Sequence, residues 1–315
     1  MDPLTGLLDG PQASGAFVMR MVMEPPWGIR VEDRAPLTVA AVIDGEAWVT
    51  PAGGSPSRLR RGQIGLLCGP DPYRFGDRPE APVQVVVHPG QRCEDPNGRS
   101  MVEPFLRGVR TWGNSHDGGT VVVIGTYEHL SERGRRILHD LPPLVIVDRD
   151  DTGTRWVDLI DAELVRDVPG QGVVLDRLLD LLTVSALRAW FDSSGASAPA
   201  WWQAADDPIA GPALRLLQHN PAHPWTVALL ASNVGVSRAS LARRFCAVVG
   251  QPPMAFLTEW RLMLAAELLL EPGATVQAVA SQVGYGTGFA LSAAFKRERG
   301  ISPSEHRKTQ THPFG

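Results

Sequence analysis

Leu230-Ala231-Ser232-Asn233-Val234-Gly235 and Val279-Ala280-Ser281-Gln282-Val283-Gly284 are two copies of one short phrase, set forty-nine residues apart. Each copy runs on into a polar-opened helical stretch that reaches a Phe, Phe245 after the first and Phe295 after the second. A small unit has therefore been used twice, and its sequence has the grammar of a helix-turn-helix. Val227, Leu230 and Ala231 fall on one helical face, Gly235 permits a sharp turn, and Ser237 is a capping residue for the next helix. That helix turns Leu241, Phe245 and Val248 inward and Arg238, Arg243 and Arg244 outward. The spacing predicts two units, at about 226–248 and 275–299, joined by one long amphipathic segment at about 252–270. Two such units in tandem point to a reader of double-stranded DNA.

The charge distribution leads to the same place. The whole chain of 315 residues has 30 Lys and Arg against 34 Asp and Glu, a net −4. Residues 207–315 hold ten basic against six acidic side chains, net +4, while the first 206 residues hold twenty against twenty-eight, net −8. An acidic chain that gathers its positive charge around the repeat has what contact with phosphates requires. An ordinary helical domain with a solvated basic face would share the charge but not the duplicated turn.

The second copy continues Gly284-Tyr285-Gly286-Thr287-Gly288-Phe289-Ala290-Leu291-Ser292-Ala293-Ala294-Phe295-Lys296-Arg297, then Gly300-Ile301-Ser302-Pro303 and His306-Arg307. This stretch resembles the second helix-turn-helix of the AraC/XylS family of bacterial transcription regulators. His306 stands where that family usually has Tyr. The resemblance covers residues 207–308 and implies an all-α DNA-binding domain, with RNA polymerase as a possible further partner.

At 315 residues there is room for two domains with separate cores. A hydrophobic fraction of 43% with 20% charged residues describes a globular chain rather than a disordered one. Met1–Gly10 has no basic segment followed by an apolar run, so no secretory signal is expected. The longest apolar stretch, Leu178–Phe191, is interrupted by Asp180 and Arg188, short of the roughly 18 apolar residues a membrane span needs. Cys68, Cys93 and Cys246 make neither a disulfide framework nor a spaced zinc motif. The expected location is the bacterial cytoplasm, at the nucleoid.

Residues 1–150 alternate in short runs, Leu37–Ile43, Glu46–Thr50, Ile64–Leu67, Val83–Val87, Val121–Ile124 and Leu144–Val147, with turn signals such as Asp44-Gly45 and Asn97-Gly98 between them. Many short strands with little helical period predict a sandwich or barrel. The period then changes. Residues 155–167 and 171–191 read as helices, the second with Val174, Leu178, Leu181, Leu182 and Leu187 along one stripe suited to dimerisation. A helical packing segment is thus expected at 151–192 and a Ser-, Gly-, Ala- and Pro-containing linker at 193–206. The fold class is α+β, with a strand-rich sensor domain, the following helices, and the C-terminal all-α domain.

Pro26-Trp27-Gly28-Ile29-Arg30, Gly45-Glu46-Ala47-Trp48-Val49, the turn Leu59-Arg60-Arg61-Gly62-Gln63 and His88-Pro89-Gly90 also resemble a known pattern. They are similar to the cupin-type sensor domains that precede AraC-type domains in actinobacterial regulators, which implies a cupin-like β-barrel over about 10–150. Metal-dependent cupins carry paired His and a Glu on early strands. The matching strand here, Thr38-Val39-Ala40-Ala41-Val42-Ile43, offers no metal donor. A pocket for a small-molecule effector is the better expectation, with no metal, no cofactor and no catalytic residue.

Site residues follow from these readings. Arg243 is the candidate base reader, because a guanidinium bonds guanine O6 and N7 together. Ser237 and Arg238, at the helix start, are placed to hold phosphates. Arg244, one step round, is either a DNA contact or an ion-paired surface residue. In the second helix Thr287, Ser292, Lys296 and Arg297 are phosphate candidates, and Phe289 either touches a thymine methyl or belongs to the core. Gly288, Ala290 and Ala293 offer little to a base, and an Arg common in the family at Ala293 is missing, so the second half-site is expected to be read loosely. Trp27, Trp48, Tyr73 and Trp112 are candidates for the effector pocket. Cys68 and Cys93 are candidates for a redox sensor, Cys93 being flanked by Arg92 on one side and by Glu94 and Asp95 on the other. Other classes remain beside the effector-controlled regulator: a cupin-fold enzyme with an appended helical domain, a cysteine-based redox regulator, and an architectural DNA-binding protein without effector control.

Overall fold

The computed structural model describes residues 17–311 apart from 140, 149 and 195–197, so the Met1–Gly10 reading lies outside the described residues. The chain divides into two compact units, Pro11–Leu130 with Arg135–Gly195, and Ala196–Gly315 with Ser131–Gly134.

The first unit is built on two sheets. Strands β1 (Phe17–Met23), β2 (Gly28–Val31), β3 (Leu37–Asp44), β4 (Glu46–Pro51), β5 (Ser57–Arg60), β6 (Gln63–Cys68), β7 (Tyr73–Gly76), β8 (Val85–His88) and β9 (Arg92–Glu94) precede a short helix α1 (Val102–Phe105). Strands β10 (Leu106–Gly108), β11 (Thr111–Trp112), β12 (Thr120–Tyr127) and β13 (Leu144–Asp148) follow, with helix α2 (Glu132–His139) before the last. The seven-stranded sheet runs β10-β11-β1-β12-β3-β6-β13, and the six-stranded sheet runs β5-β4-β7-β2-β8-β9. Met21, Ala40, Val42 and Val122 from the first sheet meet Ile29, Val49, Leu59 and Phe75 from the second in one apolar core.

Helices α3 (Asp151–Leu164) and α4 (Gln171–Ser194) cover the other face of the seven-stranded sheet. This is why β12 is buried along almost its whole length instead of alternating. Gly125 makes the contact possible: a Cβ there would come within 2.2 Å of the Leu179 side chain. Tyr127 Oη is hydrogen-bonded to Asp180 and Thr183 on α4. The expected Leu stripe does not survive as one face. Leu182 and Leu187 are buried with Leu175, Leu179 and Phe191, whereas Val174 and Leu181 remain 44% and 43% exposed. Positions 174, 178 and 181 follow helical spacing, and residue 182 lies about 100° further round than 181, toward the sheet.

The second unit contains α5 (Ala200–Ala205), α6 (Ala210–His219), α7 (Val227–Val234), α8 (Arg238–Val249), α9 (Pro253–Leu268), α10 (Val276–Val283), α11 (Gly288–Arg299) and α12 (Pro303–Thr311). The stretch expected as a linker at 193–206 thus holds a helix: Pro199 opens α5, and Ala204 is buried in the core of α6, α7 and α8. The joining segment is not amphipathic but apolar on two sides. Phe256 and Leu257, in the first half of α9, pack with Leu230, Leu241 and Phe245. Leu262, Ala265 and Ala266, in its second half, pack with Val279, Val283, Leu291 and Phe295, joined by Leu269 just beyond it. One helix of 16 residues, about 24 Å long, therefore lies in both cores.

Candidate nucleic-acid interface and effector cavity

The two units are set by local chemistry that the sequence announces. Thr226 caps α7 by accepting the Leu229 N–H, and Thr275 caps α10 by accepting the Ala278 N–H. Gly235 and Gly284 end those helices in the left-handed region, at φ 76° and 86°. The N–H groups of Val236 and Tyr285 return to the carbonyls of Ala231 and Ala280. Up to this point the repeat offset is forty-nine; Gly286 then adds one residue to the second turn. From the next caps onward the offset is fifty. Ser237 accepts the Ser240 N–H at 3.2 Å, and Thr287 accepts the Ala290 N–H at 3.1 Å. Phe245 and Phe295 are consequently in phase relative to these caps, and both are fully buried.

Aligned on the caps, α8 and α11 present different outward faces. Arg238 and Arg243 are exposed, with no carboxylate at ion-pair distance among the described residues. Their counterparts are Gly288 and Ala293. The side chain of Arg244 is engaged: its Nε and Nη2 each lie 2.6 Å from Asp207 Oδ2. Asp207 Oδ1 meanwhile accepts the N–H groups of Ile209 and Ala210 at the start of α6. Burial pushes the Asp207 carboxyl up, yet the two amides and the guanidinium together hold it below its ordinary value. Of the two readings of Arg244, the geometry favours the ion-paired one.

On α11, Phe289 is 85% exposed, which removes the core reading. Lys296 and Arg297 are exposed, Arg297 beside Glu298 at 2.9 Å. Ser292 donates its hydroxyl to the Gly288 carbonyl in its own helix at 2.8 Å, so that proton is not directed to a phosphate. Gln277 on α10 accepts the Gly288 N–H at 2.7 Å and ties the start of α11 to its partner helix, a role the sequence did not signal. His306 is buried against Phe295, its Nε2 3.2 Å from the Ala266 carbonyl. Arg307 reaches the carbonyls of Leu269 and Ala274. The two residues fasten α12 to the end of α9.

Between the sheets of the first unit lies a cavity of about 270 Å³. Met19, Met21, Phe75 and Ile124 line it, and Tyr73 and Trp112, two of the four expected aromatics, are in its wall. The other two are elsewhere. Trp27 is fully buried behind the wall, edge-on to Phe75 at 5.4 Å. Trp48 borders a separate small hollow with Arg74 and Arg78. Asp33 and Arg110 also line the cavity and were not anticipated. The alternation Phe17-Met19-Met21 was a usable sign of β1, but nothing local brings Asp33 or Arg110 to it.

Cys93 is half-buried in the cavity wall. Arg92 pairs with Glu94 at 3.6 Å. Burial pushes the Cys93 thiol up to about 11 and that of Cys68 up to about 12, away from the thiolate that oxidation requires. Among the described residues, no three of His, Cys, Asp and Glu gather as a metal site, and no helix is long and apolar enough to cross a membrane.

Comparison with known proteins fits this architecture. Residues 2–192 match a family model described as Cupin, and residues 230–309 match one described as a helix-turn-helix domain. A putative AraC-like transcription regulator of Streptomyces lividans is 33% identical, with 99% of this chain and 100% of the relative covered. Another from Streptomyces antibioticus is 31% identical, with 100% of each covered. Among solved structures, the DNA-binding domain of AdpA in complex with a target DNA is 28% identical, covering 35% of this chain and 100% of that one, with a TM-score of 0.32. The chain belongs to the AraC family of DNA-binding transcription regulators, with a cupin domain ahead of its helix-turn-helix domain.

Proposed function

We propose that this regulator reads two adjacent segments of double-stranded DNA through α8 and α11 and is controlled by a small molecule held in the cupin cavity. The observation that carries the reading is the pair of capped turns on one shared helix, each followed by a helix with exposed basic side chains. Arg243 is the base reader, and Arg238, Lys296 and Arg297 hold phosphates. Ser237 and Thr287 cap their helices through oxygen and keep the O–H to donate to a phosphate. Phe289 contacts a thymine methyl. The effector shifts the balance between arrangements of the chain that differ in DNA affinity. Two copies act together, through the exposed Val174 and Leu181 of α4, on promoter DNA in the cytoplasm, with RNA polymerase as the further partner.

The test is to select bound fragments from genomic DNA with the full-length protein and titrate the best fragment across a salt series. The expected result is a protected region with two patches about 10 base pairs apart and an affinity that falls steeply with salt. A flat salt response, or one compact patch per protomer, contradicts it. A cysteine-based redox signal is the second reading, and the raised thiols weigh against it.

A further inference from the structure

The cavity in the cupin domain has a wall of apolar side chains and a carboxylate with no cation at ion-pair distance among the described residues. Asp33 follows β2, is half-buried, and lines the space with Tyr73, Phe75, Met19 and Ile124. Its Oδ1 accepts the Ala35 N–H at 3.0 Å. No Lys, Arg or His nitrogen lies within ion-pair distance of it among the described residues. Its charged neighbour is another acid, Glu128, and burial together with that neighbour raises the carboxyl from its ordinary value. A guanidinium in the wall, that of Arg110, keeps its charge but is held in place by neutral acceptors. Arg110 donates from Nε to Gln171 Oε1 at 3.1 Å and from Nη1 to the Val18 carbonyl at 3.2 Å.

A charge taken out of water without a partner is costly, and a ligand that supplies the opposite charge recovers that cost. The remaining wall wants an apolar body, and it includes the aromatic side chains of Tyr73 and Phe75. The volume, about 270 Å³, falls just under the roughly 300–1,000 Å³ of typical ligand sites, so the ligand is small. We infer that the cupin cavity binds a small organic cation, an amine or ammonium on an apolar body, with Asp33 as its counter-ion. This rests on the reading of the cavity as the effector site and names the chemistry that site selects.

The test uses the full-length protein and three probes of one shape: n-octylamine, n-octanol and n-octanoate, titrated by calorimetry. Octylamine should bind about tenfold or more tightly than octanol, and octanoate weakest. Asp33→Asn keeps an oxygen for the Ala35 N–H and should bring octylamine down to the octanol value while leaving octanol unchanged. Ile124→Trp, which fills the space, should abolish binding of all three. If octanol or octanoate binds best and Ile124→Trp still abolishes it, the cation assignment is wrong and the effector cavity stands. If no probe binds, or Ile124→Trp changes nothing, both readings fall.

Discussion

Set side by side from their capping residues, α8 and α11 share a buried face and differ on the outer one. Leu241 and Phe245 match Leu291 and Phe295 in depth and phase, all four fully buried. Outward, Arg238 stands against Gly288, Ala239 against Phe289, and Arg243 against Ala293. The first helix carries a forked donor in its N-terminal half, and the second carries small or apolar side chains there. Its cations, Lys296, Arg297 and Arg299, come in its last turn. One scaffold thus holds two unlike outer faces; on the proposed function the first suits base edges, the second phosphates and a methyl group.

The largest effect should come from removing the forked donor. Arg243→Ala is expected to cost about 1–3 kcal/mol of binding and to relax preference at one base position; unchanged base preference in a binding-site selection would mean that α8 reads DNA through another side chain. Ala293→Arg gives α11 the group it lacks and should tighten binding by about 1 kcal/mol on sites with guanine in the second segment, measured by competition between matched duplexes.

Arg244→Ala should act on stability instead. Losing the guanidinium beside Asp207 is expected to destabilise the second unit by about 1–2 kcal/mol in denaturant unfolding, with base preference intact. The Asp207 carboxyl is held below its ordinary 3.8, so its stabilising contribution is complete above that value and is lost as pH falls through the lower, folded value. In the Arg244→Ala protein that loss should begin at a higher pH. The smallest effect belongs to Lys296→Ala, which should weaken all sequences alike and reduce the salt slope by about one.

The helical domain was legible because its signals are local. Capping Ser and Thr, turn glycines and a Phe in fixed phase lie within a few residues of one another. The cupin domain was legible in outline only. Strands β3, β4, β6, β8, β12 and β13 announced themselves by alternation or β-branched runs, whereas β10 and β11 are two or three residues long and exist through pairing with distant partners. The cavity lies further still from any local signal. It is assembled from β1, β2, β7, β8 and β12 and the segment between them, so Tyr73 and Trp112 reach it and Trp27, as aromatic as they are, does not. Arg244 reads equally as a DNA contact or an ion-paired residue until folding brings Asp207, thirty-seven residues away, to its side.

Whether α8 and α11 read DNA unequally is decided by selecting binding sites for the full-length protein from random duplex DNA and sequencing them deeply. Two segments about 10 base pairs apart should emerge: one with a strongly specified base, including a guanine that loses its preference in Arg243→Ala, and one specified weakly. Two segments of equal information, or a single segment unaffected by Arg243→Ala, would contradict the account.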